Sequence, residues 1–168
     1  MTRELKYVTF STDKGWIGIL SSAEGLLHAT LPRRSAQEAL WLLDANNASW
    51  SPHLFEELIQ RFQSYFAGRK VAFSDRLDLS RATAFQHQVW EVTRLIPYGN
   101  TRSYAWVAEQ IGKPGATRAV GQALSRNPLP IIVPCHRVLT SRGKLGGYSG
   151  GVEMKSHLLN LEAVATIE

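Results

Sequence analysis

The sequence predicts an α+β protein, and three observations support that class. Short apolar segments separated by turn residues fill residues 1–31, which is the pattern of a strand meander. Helical patterns begin at residue 35 and recur through the rest of the chain. Residues 68–82 lack a clean period and predict a linker. We therefore expect one domain over residues 1–79 and a second over residues 80–168.

The first domain is expected to hold three strands and two helices. KYVTFS, GWIGILS and GLLHATL are the strand segments, and TDKG and SAEG are the turns between them. Residues 35–44 have helical character, and a second helix fits residues 54–67, which Gly68 ends. The apolar face of that helix consists of Phe55, Leu58, Ile59, Phe62 and Phe66. This domain carries no chemical motif, so we expect its role to be structural.

The second domain is expected to be mostly helical. Thr83 and Gln86 form a capping-box pattern ahead of a helix that PYGN, residues 97–100, ends. Two short helical patterns follow, and GKPG, residues 112–115, separates them. Their apolar stripes are Tyr104, Val107, Ala108 and Ile111 in the first, and Ala116, Ala119, Val120 and Ala123 in the second. Two short helices around a tight glycine-containing turn resemble a helix-turn-helix, a pattern that many helical hairpins share.

The composition excludes several classes of protein. The chain has 168 residues, 44% of them hydrophobic, which suits a globular protein with a real core. A single cysteine excludes an internal disulfide and a cysteine-rich metal site and fits a reducing compartment. The five histidines show no metal-ligand spacing. The sequence shows no signal peptide and no apolar run of about 18 residues. We expect a cytoplasmic protein without metal, cofactor or membrane association.

The positive charge is concentrated in the second domain. Residues 1–80 hold nine Lys/Arg and nine Asp/Glu, whereas residues 81–168 hold ten Lys/Arg and five Asp/Glu. Residues 94–144 carry eight basic side chains and one acidic side chain, Glu109. This imbalance favours an anionic partner, with nucleic acid first, although an ordinary solvated basic face has the same composition.

The second helix of the hairpin carries mostly small side chains. Base readout in the major groove requires long polar side chains, and only Arg118 near the start of this helix is a long cation. A smooth helix suits close approach to a nucleic-acid backbone or a narrow groove with little sequence preference. Tight packing between helices explains the same small residues equally well.

The only cysteine lies in the segment PIIVPCHRV. Three prolines between residues 127 and 134 predict a stiff, extended and largely buried arm that ends at Cys135. A buried thiol is ordinarily inert, and activation requires a nearby cation, a base or a helix N-terminus. His136 and Arg137 are candidates, although adjacent side chains point apart on a strand or helix. The alternatives are that Cys135 is a small buried hydrophobe and that the two basic residues lie in a solvated loop.

The surroundings of Cys135 resemble one protein family. PCHRV preceded by NP-P and followed by YSGG resembles the 6-O-alkylguanine-DNA alkyltransferases (methylated-DNA–protein-cysteine methyltransferases), over about residues 80–162. The resemblance implies a ribonuclease-H-like N-terminal domain with a small antiparallel sheet, and a mostly helical C-terminal domain with a winged helix-turn-helix. It also implies irreversible, single-turnover transfer of a methyl or small alkyl group from 6-O-alkylguanine in DNA to Cys135 after base flipping. 4-O-Alkylthymine is a second candidate substrate.

The resemblance implies roles for four catalytic residues. Cys135 accepts the alkyl group, and His136 deprotonates it through a water molecule. Glu162 orients His136, and Asn127 braces the active-site turn. If His136 and Glu162 act as a relay, we expect the pKa of the thiol to lie below the free value of about 8.5.

The resemblance also assigns contacts to substrate and DNA. The residues implied around the guanine are Tyr104, Pro130, Val138, Tyr148 and Ser149. Arg118 is implied to enter the duplex where the base leaves, Tyr104 to lie beside the phosphate, and Arg126 is a further basic candidate for DNA contact. The expected partner is double-stranded DNA carrying alkylated guanine, bound by a protein that is monomeric in solution, with assembly on DNA left open. Two alternatives are a non-catalytic lesion-binding relative and a helix-turn-helix regulator with an incidental thiol.

Overall fold

The computed structural model describes residues 4–167, with side chains through residue 163. The chain divides into two compact units, Met1–Ser80 and Arg81–Glu168. The first unit contains a four-stranded sheet and two α-helices, and the second contains four α-helices and a two-stranded sheet among its described residues. The predicted α+β class is confirmed.

The sheet of the first unit begins with the predicted meander. β1 (Leu5–Thr12) pairs antiparallel with β2 (Gly15–Ser22), and β2 pairs antiparallel with β3 (Gly25–Ala29). Gly15 and Gly25 begin their strands at φ 134° and 148°, a backbone conformation that favours glycine. The local turn chemistry therefore sets the order of these three strands.

A fourth strand departs from the expected antiparallel sheet. β4 (Ala48–Trp50) pairs parallel with β1, so the strand order is β3-β2-β1-β4. Helix α1 (Ala36–Leu43) lies between β3 and β4 in the sequence and makes the crossover that a parallel pair requires. Three residues are too few to show a period, which is why the sequence pattern did not predict β4.

Both helices of the first unit are close to the predicted ones. Leu43 of α1 packs so tightly on β2 that a Cβ at Gly18 would lie 2.8 Å from Leu43 Cδ1. The second predicted helix begins as a 3₁₀ turn, Pro52–Phe55, and continues as α2 (Glu56–Phe66). Phe62 of α2 is fully buried and packs against Phe73 with ring centroids 4.9 Å apart.

The segment predicted as a linker is partly fixed to the sheet. Leu77 forms an isolated parallel bridge with Leu26, and the Asp78 N–H donates to the Leu26 carbonyl at 2.8 Å. Asp75 accepts two hydrogen bonds from the Arg61 guanidinium, at 2.5 and 2.7 Å. The interpretation of residues 68–82 as a linker is therefore wrong for residues 75–78.

Three helices form the framework of the second unit. α3 (Ala84–Thr93) begins with the predicted capping box of Thr83 and Gln86. α4 (Tyr104–Gln110) and α5 (Thr117–Ser125) are the two helices of the predicted hairpin. The Trp90 indole donates to the Ala123 carbonyl at 2.9 Å, which links α3 to α5. The buried valines of this core are Val89, Val107 and Val120.

The remaining elements surround the single cysteine. β5 (Arg102–Ser103) and β6 (Val138–Leu139) form a short parallel pair, and a 3₁₀ turn, Cys135–Arg137, immediately precedes β6. α6 (Val152–Ile167) packs against that turn. Across residues 4–167, no helix combines the length and the apolar character needed to cross a membrane.

Candidate active site

The segment before Cys135 is buried as predicted but is not extended throughout. Ile131 has φ 75°, and the Val133 N–H donates to the Leu129 carbonyl at 2.8 Å, so the chain turns at its centre. A β-branched residue at positive φ is strained and persists only where neighbouring contacts impose it. The extended arm predicted from the prolines is wrong at this point, because long-range contacts override the local preference.

Asn127 supplies contacts that hold this turn. Its Nδ2 donates to the Val133 carbonyl at 2.9 Å and to Cys135 Sγ at 3.2 Å, and its Oδ1 accepts from the Leu129 N–H at 2.9 Å. The side-chain amide of Asn127 therefore binds Leu129 and Val133, which flank the turn, and also the sulfur of Cys135. The geometry places Asn127 where a bracing residue would have to lie.

The thiol itself is in an environment that favours its neutral form. Cys135 is 4% exposed, and this burial raises the pKa of the thiol. The contact with Asn127, the charge of Lys155 and the nearby Tyr148 hydroxyl act in the opposite direction and do not outweigh the burial. The expectation of a pKa below the free value is therefore wrong, because low-dielectric surroundings penalise the thiolate more than these groups stabilise it.

His136 binds Glu162 through one ring nitrogen. His136 Nε2 and Glu162 Oε2 form a short hydrogen bond, and both side chains are buried. Burial lowers the pKa of His136 despite its contact with Glu162, so the imidazole is neutral near pH 7. Since an ionised carboxylate only accepts, Nε2 carries the proton and Nδ1 is the basic nitrogen. Glu162 therefore fixes the tautomer that makes His136 a potential base.

Glu162 accepts hydrogen bonds from three directions. Besides His136, the Arg137 Nε donates to Oε1 at 2.8 Å and the Gly99 N–H donates to the same oxygen at 3.3 Å. Burial acts to raise the pKa of Glu162, but His136 and Arg137 outweigh it and lower the pKa to about 2. Glu162 is consequently a carboxylate at every pH at which the protein would work.

Tyr104 and Tyr148 are the tyrosines predicted beside the substrate, and Cys135 affects the pKa of both. Burial, followed by the charge of Cys135, raises the pKa of Tyr104 and of Tyr148. The Tyr104 hydroxyl donates to the Gly147 carbonyl at 3.4 Å. Both phenols therefore stay protonated at neutral pH and can act as hydrogen-bond donors.

The other residues predicted around the substrate lie on the strand and loop beside the thiol. Val138 directly follows the 3₁₀ turn, and its carbonyl accepts from Lys155 Nζ at 2.7 Å. A contact with guanine would use the second lone pair of that oxygen. Pro130 is buried next to the turn at Ile131, and Ser149 is exposed in the loop that precedes α6.

The two arginines predicted to contact DNA are exposed at opposite ends of α5. Arg118 lies in the first turn of the helix, and Arg126 follows its last residue. Gly121 is half-buried against Tyr104 of α4, where a Cβ would lie 3.9 Å from the ring. Gly121 of α5 thus packs against α4, while both arginines are exposed.

The sequence analysis named Arg137 only as a candidate to activate the thiol, and it missed Lys155. Arg137 is buried and holds Glu162, and its Nη1 donates to the Ile96 carbonyl at 2.7 Å. Lys155 is 0% exposed and influences the pKa of Cys135. Lys155 precedes Glu162 by about two turns of the same helix, so helical spacing would have placed both on one face. Among the residues that the structure describes, none form a group of metal-binding side chains.

Comparison with known proteins identifies similar chains. Residues 84–164 match the family model described as the DNA-binding domain of 6-O-methylguanine DNA methyltransferase. A methylated-DNA–protein-cysteine methyltransferase of Mycobacterium leprae is 50% identical over 121 residues, 71% of this chain and 73% of the relative. One from Methanosarcina acetivorans is 39% identical over 158 residues, 93% of this chain and 97% of the relative.

Solved structures show the same fold. The crystal structure of Mycobacterium tuberculosis OGT in complex with DNA superposes with a TM-score of 0.82. It is 39% identical in sequence, and the match covers 95% of this chain and 94% of that one. The similarity therefore extends over both units and is not confined to the segment around the cysteine.

Proposed function

The chain belongs to the methylated-DNA–protein-cysteine methyltransferase family, and we propose that it repairs DNA directly by moving an alkyl group from 6-O-alkylguanine to Cys135. The observation that carries the assignment to Cys135 is the buried cluster in which Asn127 contacts the sulfur and Glu162 fixes the tautomer of the adjacent His136. A merely structural cysteine would have no need of an oriented base beside it.

The reaction is a displacement at the alkyl carbon. The Cys135 sulfur forms the new S–C bond as the C–O6 bond breaks, and that electron pair passes to the guanine oxygen. The thiol proton passes to His136, through a water molecule as the family resemblance implies, and the resulting imidazolium is stabilised by Glu162. The thiol stays neutral until substrate is bound, because burial raises its pKa.

The leaving guanine needs a proton, and Tyr104 is the proposed donor. Its raised pKa keeps the hydroxyl protonated, and it lies against the loop that carries Tyr148 and Ser149. The phenolate that remains lies beside the Lys155 ammonium, 3.4 Å from Nζ, and takes a proton from solvent once guanine has left. Pro130 and Tyr148 are proposed as pocket walls, and the Val138 carbonyl and the backbone at Ser149 as contacts to the guanine edge. The product is a thioether with no route back to the thiol, so each molecule acts once.

The DNA surface is proposed to be α5 and its surroundings. The target atom lies inside the base stack, so the base has to be flipped out, which costs roughly a few kcal/mol. We assign Arg118 to fill the vacated space and Arg126 to contact the backbone. Small side chains along α5 suit a minor-groove contact with little sequence preference. The partner is double-stranded DNA carrying alkylated guanine, bound by a monomeric protein.

The finer architecture belongs to the same proposal. We propose that α3–α5 with the β5–β6 pair form a winged helix-turn-helix, in the alkyltransferase and DNA-binding domain of residues 80–168. Residues 1–79 are proposed as a ribonuclease-H-like structural domain, and the parallel pairing of β4 with β1 after an antiparallel meander supports this. A cytoplasmic location is proposed because the reaction requires a reduced thiol.

The function predicts a defined change in mass. After incubation with duplex DNA carrying 6-O-methylguanine, intact-protein mass spectrometry should find a single added methyl group per molecule. Peptide mapping should place that group on Cys135, since no other thiol exists in the chain. Methylation of a different residue, or conversion of a molar excess of lesions by the protein, would contradict the proposal.

The Arg118→Ala variant is expected to slow transfer from duplex DNA by one to two orders of magnitude, because nothing then replaces the stacking lost on flipping. Transfer from the free base 6-O-benzylguanine should be nearly unchanged, since no base has to be flipped. The measurement is a pair of single-turnover rate constants, one for each substrate.

The matched control is Arg126→Ala at the other end of α5. Removal of an arginine that contacts only phosphate should weaken binding equally for all sequences. It should also reduce by about one the slope of the logarithm of the binding constant against the logarithm of the salt concentration. An equal loss of rate on duplex and free base in Arg118→Ala would mean that Arg118 supports the active site or the fold instead of the flipped state.

A further inference from the structure

Lys155 is a buried cation with an unusual set of partners. Its side chain is 0% exposed, and buried lysines are ordinarily paired with carboxylates. Within the described part of the chain, the hydrogen bonds of its ammonium go to backbone carbonyls and a phenol instead. They are Val138 O at 2.7 Å, Gly147 O at 3.3 Å, Leu145 O at short range, and Tyr104 Oη at 3.4 Å.

These carbonyls come from two segments. Val138 belongs to β6, immediately after the thiol turn, whereas Leu145 and Gly147 belong to residues 140–151, which we call the substrate loop. The substrate loop has internal hydrogen bonds of its own, such as Thr140 N–H to the Lys144 carbonyl at 2.9 Å. Lys155 joins it to the fixed strand through one ammonium group.

The loop is also fitted closely to Tyr104, which Lys155 contacts. Gly146 has φ 68°, and a Cβ there would lie 3.0 Å from the Tyr104 hydroxyl. Lys155 Nζ lies 5.6 Å from the centroid of the same ring. Tyr104, Gly146 and Lys155 thus form one packed unit on the side of the loop that faces the protein.

We propose that Lys155 is a positioning residue that holds the substrate loop closed beside Cys135, so that Tyr148 and Ser149 meet the guanine in fixed positions. The nature of the substrate rests on the function proposed above, whereas the closed loop is a property of the protein without substrate. Lys155 acts through the loop and does not itself form or break a bond.

The hydrogen bonds from Lys155 Nζ to these carbonyls and to the Tyr104 hydroxyl are called the clamp. The clamp depends on the charge of Lys155, because an ammonium has three N–H groups to share among these acceptors, whereas a neutral amine has fewer and donates more weakly. Burial lowers the pKa of Lys155 to about 8, and the neighbouring Cys135 acts in the opposite direction. The groups that face the ammonium are Tyr104 from α4 and Cys135 and His136 from the 3₁₀ turn. The protonated clamp is therefore present below pH 8 and is lost as the pH rises through that value.

Hydrogen exchange of the substrate-free protein tests the clamp directly. In Lys155→Met, the amides of Thr140, Gly143, Lys144 and Gly151, which are hydrogen-bonded within the loop, should exchange on the order of tenfold faster. The amide of Val133, outside the loop, should keep its protection. Lys144→Met, which removes an exposed lysine of the same loop, is the matched control and should leave all of these amides unchanged.

The wild-type protein gives a second test that needs no variant. After correction for intrinsic exchange, the same loop amides should lose protection between pH 7 and pH 9, with a midpoint near the pKa of about 8. Lys155→Met should show no such step. If folded Lys155→Met protects the loop amides as well as the wild type does, the proposal is overturned. If the variant does not fold, a wild-type protein whose loop amides keep their protection between pH 7 and pH 9 overturns it.

Kinetics separate the clamp from a purely electrostatic role. With 6-O-benzylguanine, Lys155→Met should raise the half-saturating concentration as well as lower the rate at saturation. Lys155→Arg keeps the charge near Cys135, but its planar fork cannot gather the same carbonyls. Full recovery of both parameters in Lys155→Arg would mean that charge alone matters and would overturn the clamp. If Lys155→Met changes loop exchange as expected but the wild-type protein transfers no alkyl group, the proposed function is contradicted and the clamp stands.

Discussion

Cys135→Ser is expected to abolish alkyl transfer while preserving the fold and the binding of alkylated DNA. A serine hydroxyl is a far weaker nucleophile than a thiolate, and the buried environment that raises the pKa of the thiol would disfavour an alkoxide even more. The hydroxyl can still accept from Asn127 Nδ2, which lies 3.2 Å from the sulfur, so the turn should stay intact. Single-turnover transfer and equilibrium binding measured on one 6-O-methylguanine duplex test both halves of this prediction.

The control for this variant is its thermal unfolding. A melting temperature within a few degrees of the wild-type value would show that the loss of transfer is chemical. Residual transfer above the uncatalysed background would place the alkyl acceptor on another residue. Loss of binding together with transfer would mean that the sulfur contributes to the lesion pocket itself.

Glu162→Gln is expected to slow transfer by about 10²- to 10⁴-fold, in the range assigned to a misplaced general base. The amide can donate to His136 Nε2, which the carboxylate cannot do, and this would place the imidazole proton on Nδ1. The nitrogen that should accept the thiol proton would then already carry one. The pH–rate profile for 6-O-benzylguanine is the measurement, because a change of tautomer alters its shape as well as its height.

The same substitution should change how stability depends on pH. The wild-type carboxylate has its pKa lowered to about 2 from an ordinary 4.5, so it adds stability above the ordinary pKa and loses it as the pH falls toward 2. Glu162 is 1% exposed, and removal of one member of a buried ion pair typically costs about 3–5 kcal/mol. Glu162→Gln should therefore unfold at a lower temperature at pH 7, with a smaller further loss on acidification.

Glu153→Gln provides the matched control, since Glu153 is an exposed acid on the same helix. It should leave the transfer rate, the stability at pH 7 and the loss of stability on acidification close to the wild-type values. If Glu162→Gln behaved in the same way, Glu162 would be only a structural charge and His136 would need a different orienting group.

Features that depend on neighbouring residues were predictable from the sequence. The β1–β3 meander follows from alternating strands and glycine turns, and the start of α3 follows from the Thr83–Gln86 capping box. PCHRV, preceded by NP-P, indicated the family through its resemblance to the alkyltransferase sequences. Each of these signals lies within about ten residues of the feature that it specifies.

Features that depend on distant contacts were not predictable in the same way. β4 forms because β1 offers it an open edge, and the turn at Ile131 is held by the side chain of Asn127. The prolines predicted a buried cysteine, but the pKa of Cys135 also depends on Asn127, Lys155 and Tyr148, which only the folded chain brings to the sulfur. Lys155 looks like an ordinary surface lysine until the strand and loop carbonyls are placed around it.

One consequence follows from the place of α6 in the chain. Glu162 and Lys155 lie on this helix, whereas Cys135, His136 and Asn127 precede it. Protein synthesis proceeds from the N-terminus, so a nascent chain that ends before residue 152 has the nucleophile without its carboxylate or its ammonium. The thiol of such a chain lacks the oriented base that Glu162 provides, so rapid alkyl transfer is expected only after α6 has docked.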